Sequence, residues 1–236
     1  PILIKLIDAK DNLSVQVHPD NDYAMRVEGE YGKTEMWYIV DCEEGSQLIY
    51  GFDKEISREE FADRIKNNTL LEVTNNVPVH KGDVFFIESG TLHAIGKGIL
   101  IAEIQQNSNT TYRVYDYGRV GKDGKPRELH VEKAIDVTEL CPPKYDTKPQ
   151  GKPVKIDGGE ETLLRTCEYF DVHKIKVDGT VTLDADEKSF HSILVLDGNG
   201  KVGELDAKKG ESFFIPAGYG KYELTGNLEV ILSDIV

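Results

Sequence analysis

The chain of 236 residues carries 28 Lys and Arg against 42 Asp and Glu, a formal net charge of −14 with a pI near 4.9. This balance argues against a nucleic-acid groove or an anionic membrane surface as partner, because most of the exterior repels both, and any phosphorylated ligand would need a local basic pocket. The length exceeds the ~100–150 residues usual for one domain and implies two modules or one large β architecture. The longest apolar runs, such as residues 99–102, fall far short of the ~20 residues that span a bilayer.

Three scattered cysteines, Cys42, Cys141 and Cys167, suit a reducing compartment, and no basic-then-apolar leader precedes them, so a cytoplasmic location is expected. The chain opens at Pro1 in an apolar, strand-like run over residues 1–7 without an initiator Met and reads as a processed or truncated piece.

Short strand-like runs bounded by Gly, Asp, Asn and Pro follow one another, the pattern of a mainly all-β sandwich or barrel. Over residues 13–18 apolar and polar side chains alternate, so Ser14, Gln16 and His18 share one face and Leu13, Val15 and Val17 the other. Lys33 and Glu35, two apart before the strand-like run 36–40, point an ammonium and a carboxylate the same way. Residues 57–71 break the β pattern: Phe61, Ile65 and Leu70/Leu71 recur at helical spacing behind a capping-box signature, Ser57-x-x-Glu60, which predicts a helical insertion. Further strands are expected at 84–87 and 100–104, with His93 just after the turn Ser89-Gly90-Thr91-Leu92. Residues 122–127 mix charges with a Gly and a Pro and read as a solvated hairpin loop.

Prolines 142, 143, 149 and 153 make residues 141–153 a linker, because neither a helix interior nor a central strand tolerates them. It separates a first module, residues 1–140, from a second, residues 154–236, with strands expected at 192–196, 212–215 and 228–232. An internal repeat supports that cut. Lys81-Gly82-Asp83-Val84-Phe85-Phe86-Ile87-Glu88-Ser89-Gly90 is echoed by Lys209-Gly210-Glu211-Ser212-Phe213-Phe214-Ile215-Pro216-Ala217-Gly218. The register sets His93 against Lys221, so a metal site would belong to the first module and the second would be metal-less.

Gly82 to Glu88-Ser89-Gly90 and His93 resemble the second cupin motif, with Glu88 where the motif often has Pro, and Gln16-x-His18 stands where cupins commonly have His-x-His. Leu13-Ser14-Val15-Gln16-Val17-His18-Pro19, Gly32-Lys33-Thr34-Glu35-Met36-Trp37, Gly90-Thr91-Leu92-His93-Ala94-Ile95-Gly96 and Gln105 to Asp116 together resemble type I phosphomannose isomerase, short bacterial form. The resemblance implies two cupin-type β-barrels, or jelly rolls, in tandem. It further implies one zinc ion per chain on Gln16, His18, Glu35 and His93, with Arg113 and Lys33 catalytic. A sugar phosphate is then the substrate, with Lys33, Arg113 and Glu103 expected to bind it and Arg119 within reach of its phosphate. The implied activity is a metal-dependent aldose–ketose isomerisation between mannose 6-phosphate and fructose 6-phosphate through an enediolate. The residues also admit a truncated, non-catalytic sugar-binding cupin, or another metal-dependent cupin enzyme such as a dioxygenase. Family members carry a further N-terminal segment and an Asp where this chain has Asn109. His80, His130, His173 and His191 match no ligand position, and Trp37, Phe85 and Phe86 are expected in the core.

Overall fold

A computed structural model describes residues 1–121 and 124–235, so Lys122 and Asp123 of the expected loop lie outside the described residues. The chain divides into two compact units, Leu3–Thr147 and Lys148–Val236 together with Pro1–Ile2.

The described residues of the first unit form strands β1 (Ile2–Ala9), β2 (Val15–Val17), β3 (Glu35–Cys42), β4 (Gln47–Phe52), β5 (Thr74–Pro78), β6 (Val84–Ile87), β7 (His93–Ala94), β8 (Ile99–Gln106) and β9 (Tyr112–Tyr115), with helices α1 (Asn21–Val27), α2 (Arg58–Lys66) and α3 (Val131–Val137). One sheet runs β1-β8-β3-β6 and the other β5-β4-β7-β2-β9. Trp37, Ile39, Phe85 and Ile101 of the first sheet form one core with Leu48, Tyr50 and Ile95, as expected for Trp37 and Phe85. The opposite face of the second sheet buries Val15, Val17, Ile49 and Val114 together with Phe61 of α2 and Ala134 of α3. The alternation in residues 13–18 thus sends the valines to the helical side and leaves Gln16 and His18 for the interior.

The helical insertion is shorter than its periodicity predicts. Ser57 Oγ caps α2 by accepting from the Glu60 N–H at 3.1 Å, but Asn68 turns left-handed at φ 60, and the chain resumes as a 3-10 turn over Leu70–Glu72. Asn tolerates that conformation better than most residues and ends the helix there. α1 and α3 escape the sequence reading because seven residues make barely two turns, too few to establish a period.

Two glycines fix the backbone around the polar interior. A Cβ on Gly32 would sit 2.3 Å from the Asp20 carbonyl carbon, and Gly90 adopts φ +87 with its N–H on the His18 carbonyl oxygen at 2.8 Å. No other residue type allows such approaches at low cost.

The second unit comprises β10 (Val154–Ile156), β11 (Gly159–Thr166), β12 (Asp171–Ala185), β13 (His191–Val202), β14 (Leu205–Lys208), β15 (Ser212–Ile215) and β16 (Gly220–Asp234). They form one sheet, β10-β11-β12-β16-β13-β14, with β15 also on β13. Alternate residues of the long strands, including Ile175, Val177, Ile193, Val195, Leu228 and Val230, make its core. The repeat is structural: β15 pairs with β13 as β6 pairs with β3. No helix among the described residues is long and apolar enough to cross a membrane.

Candidate metal centre and active site

Strand register brings the polar residues of the first unit together. Gln16 faces His93 across β2 and β7 and Arg113 across β2 and β9. Glu35 faces Gln105, and Trp37 faces Glu103, across β3 and β8. His18, Glu35 and His93 are buried, and each offers one ligand atom within 4.8 Å of the others. His18 Nε2 lies 3.7 Å from Glu35 Oε2, and His93 Nε2 lies 3.6 Å from Glu35 Oε1.

The outer nitrogens are already committed. His18 Nδ1 lies 2.9 Å from the Thr110 carbonyl oxygen and His93 Nδ1 lies 2.8 Å from that of Thr91. A carbonyl only accepts, so each Nδ1 carries the proton and each Nε2 turns its lone pair toward Glu35. The Gln16 amide nitrogen sits 3.2 Å from His93 Nε2; turning that amide over would present its oxygen at the same place.

Charge follows the same plan. Burial pushes the Glu35 carboxyl up, but the Lys33 ammonium and the two imidazoles outweigh it and hold the carboxylate well below its ordinary range. Lys33 Nζ lies 2.8 Å from Glu35 Oε2. Burial pushes both imidazoles down, His93 to about 3 with His18 adding to the effect, so both are neutral near pH 7. His18 Nε2 and Glu35 Oε1 nonetheless have no hydrogen-bond partner and are shut off from water, while Glu35 Oε2 has the Lys33 ammonium beside it. Such orphaned acceptors facing one another are what a divalent cation satisfies, so the residues fit a metal.

Glu103 lies beside this group, with Trp37 Nε1 donating to its Oε2 at 3.1 Å and Lys5 Nζ donating to its Oε1 at 2.8 Å. Lys5 also donates to Gln105. Burial pushes the Glu103 carboxyl up, and the charge of Glu35 adds to the rise. Lys5 went unnoticed in the sequence; one Lys inside the apolar run 1–7 was its only mark. Arg113 borders the group without touching it: its Nε donates to Ser14 Oγ at 3.2 Å and a terminal nitrogen to the Glu128 carbonyl oxygen at 3.1 Å. Arg119 is held by Asp116.

The other histidines make hydrogen bonds or ion pairs elsewhere. His130 Nδ1 accepts from the Arg113 N–H, His173 pairs with Glu161, His191 bonds Tyr222, and exposed His80 lies near Asp83. In the second unit Lys221 is exposed and lies opposite Asp184 in the sheet.

Against known proteins, the chain is 42% identical over 240 residues to mannose-6-phosphate isomerase ManA of Bacillus subtilis, covering 100% of this chain and 75% of that one. The chain belongs to the mannose-6-phosphate isomerase family. It is likewise 40% identical over 237 residues to mannose-6-phosphate isomerase of Streptococcus mutans, covering 99% of this chain and 73% of that one. The family model for the mannose-6-phosphate isomerase cupin domain matches residues 159–235. The crystal structure of mannose 6-phosphate isomerase from Bacillus subtilis superposes with a TM-score of 0.91 at 37% identity, covering 99% of this chain and 74% of that one. The mainly β architecture is therefore that of this isomerase family.

Proposed function

We propose that this chain interconverts mannose 6-phosphate and fructose 6-phosphate, with one zinc ion held by His18, Glu35, His93 and the amide oxygen of Gln16. The observation that carries the reading is the pair of buried acceptors without partners, His18 Nε2 and Glu35 Oε1, beside a second Glu35 oxygen that faces the Lys33 ammonium. Each unpaired buried group costs ~1–3 kcal/mol, and one cation would relieve both. Two imidazoles, a carboxylate and an amide make a mixed nitrogen–oxygen set that suits zinc. When bound, the ion supplies Lewis-acid polarisation of a sugar oxygen.

The reaction moves the C2 hydrogen of the aldose to C1 and the O2 hydroxyl proton to O1, by way of an enediolate. Glu103 is our candidate carrier of the carbon-bound proton, because a carboxyl pushed up by burial can take and return a proton nearer neutral pH. The Trp37 N–H and Lys5 hold its two oxygens in place. Lys33, paired with Glu35, and Arg113, on the strand beside Gln16, are our candidates to stabilise the negative charge that develops, and preorganised charge there lowers the barrier. Residues 1–140 carry this chemistry, 141–153 link, and 154–236 form a second, metal-less cupin-like unit; the protein works in the cytoplasm on a small sugar phosphate.

A coupled assay for fructose 6-phosphate formed from mannose 6-phosphate tests the reading. Turnover that a chelator abolishes and zinc restores supports it, and a folded, zinc-loaded protein without turnover rejects it.

A further inference from the structure

The strongly acidic composition requires a local basic pocket for any phosphorylated ligand, and one group in the first unit provides it. Asp116 is buried, and two guanidiniums share its carboxylate: Arg127 Nε donates to Oδ2 at 2.7 Å and Arg119 Nε to Oδ1 at 3.1 Å. A second nitrogen of each arginine donates to Oδ1 as well. The carboxylate side chain is 6% exposed, whereas those of Arg119 and Arg127 are 35% and 44% exposed. The anchor is inside and the cations face solvent. Arg113 stands close enough for both guanidiniums to depress its own proton affinity, after the larger effect of burial.

The chain leading to the metal centre acts as a ruler. Gln16 reaches His93, Arg113 reaches Ser14, and Arg119 donates through a terminal nitrogen to the Asn12 carbonyl oxygen at 2.6 Å. At no more than ~3.4 Å per residue, Ser14 lies within ~7 Å and Asn12 within ~14 Å of Gln16 along the backbone. A six-carbon chain that starts at the metal centre and carries phosphate on its far carbon has a length within the same bound. Beside Asp116 the backbone is constrained: Tyr117 adopts φ 56, with the Arg119 guanidinium 5.3 Å above its ring. Backbone strain of this sort persists only where surrounding contacts over-determine it.

We propose that Asp116 is a positioning residue for the phosphate end of the substrate, aiming Arg119 and Arg127 as a paired clamp and making Arg127 a specificity determinant for phosphorylated sugars. This rests on the reading that the sugar's reacting end lies at the metal centre. The planar guanidinium fork matches phosphate oxygens two at a time, so orientation matters as well as charge. Asp116 serves the clamp by holding the forks still rather than by touching substrate.

The test uses the zinc-loaded full chain and its Asp116→Asn and Arg127→Gln variants, with steady-state kinetics on mannose 6-phosphate and calorimetric titration with orthophosphate. Both variants should raise KM and the orthophosphate Kd about tenfold, equivalent to ~1.4 kcal/mol, and leave kcat within about twofold. Arg127→Gln carries the test if Asp116→Asn does not fold. Orthophosphate binding absent from the parent protein or unchanged in the folded variants overturns the proposal, as does a loss confined to kcat. A parent protein that binds orthophosphate, loses it in the variants and yet turns over no sugar phosphate leaves the clamp standing and removes the isomerase reading instead.

Discussion

Glu35 and His191 hold the same register position in the two units. Glu35 lies opposite Ile87 and His191 opposite Ile215, the isoleucines that end the repeated Phe-Phe-Ile run. In the first unit that position carries a buried carboxylate facing two imidazole lone pairs. In the second it carries an imidazole bonded to the Tyr222 hydroxyl at 2.8 Å, with Asp234 3.8 Å away. One strand pairing therefore presents two different chemistries.

The second-unit arrangement predicts a pH effect on stability. Burial, with Asp171 and Asp186 nearby, pushes the Asp234 carboxyl up from 3.8 to about 6. A folded-state pKa above the unfolded one gives stability that is fully present below pH ~4 and lost as pH rises through about 6. Asp234→Asn stays neutral throughout. Its stability should match the parent near pH 4 and exceed it above pH 7 by on the order of 2 kcal/mol, with the melting temperature rising accordingly. Thermal melts from pH 4 to 8 check this; a constant gap between the curves contradicts it.

The Lys33–Glu35 pair makes the first unit sensitive to charge removal. Lys33→Met leaves the Glu35 carboxylate buried without its ammonium, a defect worth ~3–5 kcal/mol when one partner of a buried pair is lost. The metal-free variant should melt well below the metal-free parent, and zinc should recover part of the difference by supplying the missing positive charge. Melts with and without chelator read both effects, and equal losses in the two conditions would separate Lys33 from the metal centre.

These residues also mark how far the sequence could be read. The alternation from Leu13 to His18 and the spacing of Lys33 and Glu35 are local properties of extended chain, so they placed five polar side chains on shared faces without any knowledge of the sheets. The Phe-Phe-Ile repeat located β6 and β15 for the same reason. What pairs across sheets left no local trace: Lys5 meets Glu103, and Trp37, read as core, also donates to that carboxylate. The backbone carbonyls of Thr91 and Thr110 that set the histidine tautomers lie beyond any side-chain pattern. Likewise, the family resemblance singled out Arg113, but only the folded loop joins Arg119 and Arg127 on Asp116.

Arg113 divides transition-state from ground-state duties. Its guanidinium hydrogen-bonds Ser14 and the Glu128 carbonyl rather than a carboxylate, and in the proposed reaction its charge acts on the substrate. Arg113→Ala should lower kcat by about a hundredfold, the size of effect seen when one donor to a developing oxyanion is removed. A change confined to KM would assign Arg113 to binding alone.

The central claim is that His18, Glu35 and His93 share one cation. Metal analysis of the purified chain beside Glu35→Gln and His93→Ala variants tests it most directly, with folding verified by circular dichroism. The account predicts about one equivalent of zinc in the parent protein and a loss of at least tenfold in affinity in each variant. Folded variants that retain the parent's full zinc content and affinity would contradict it.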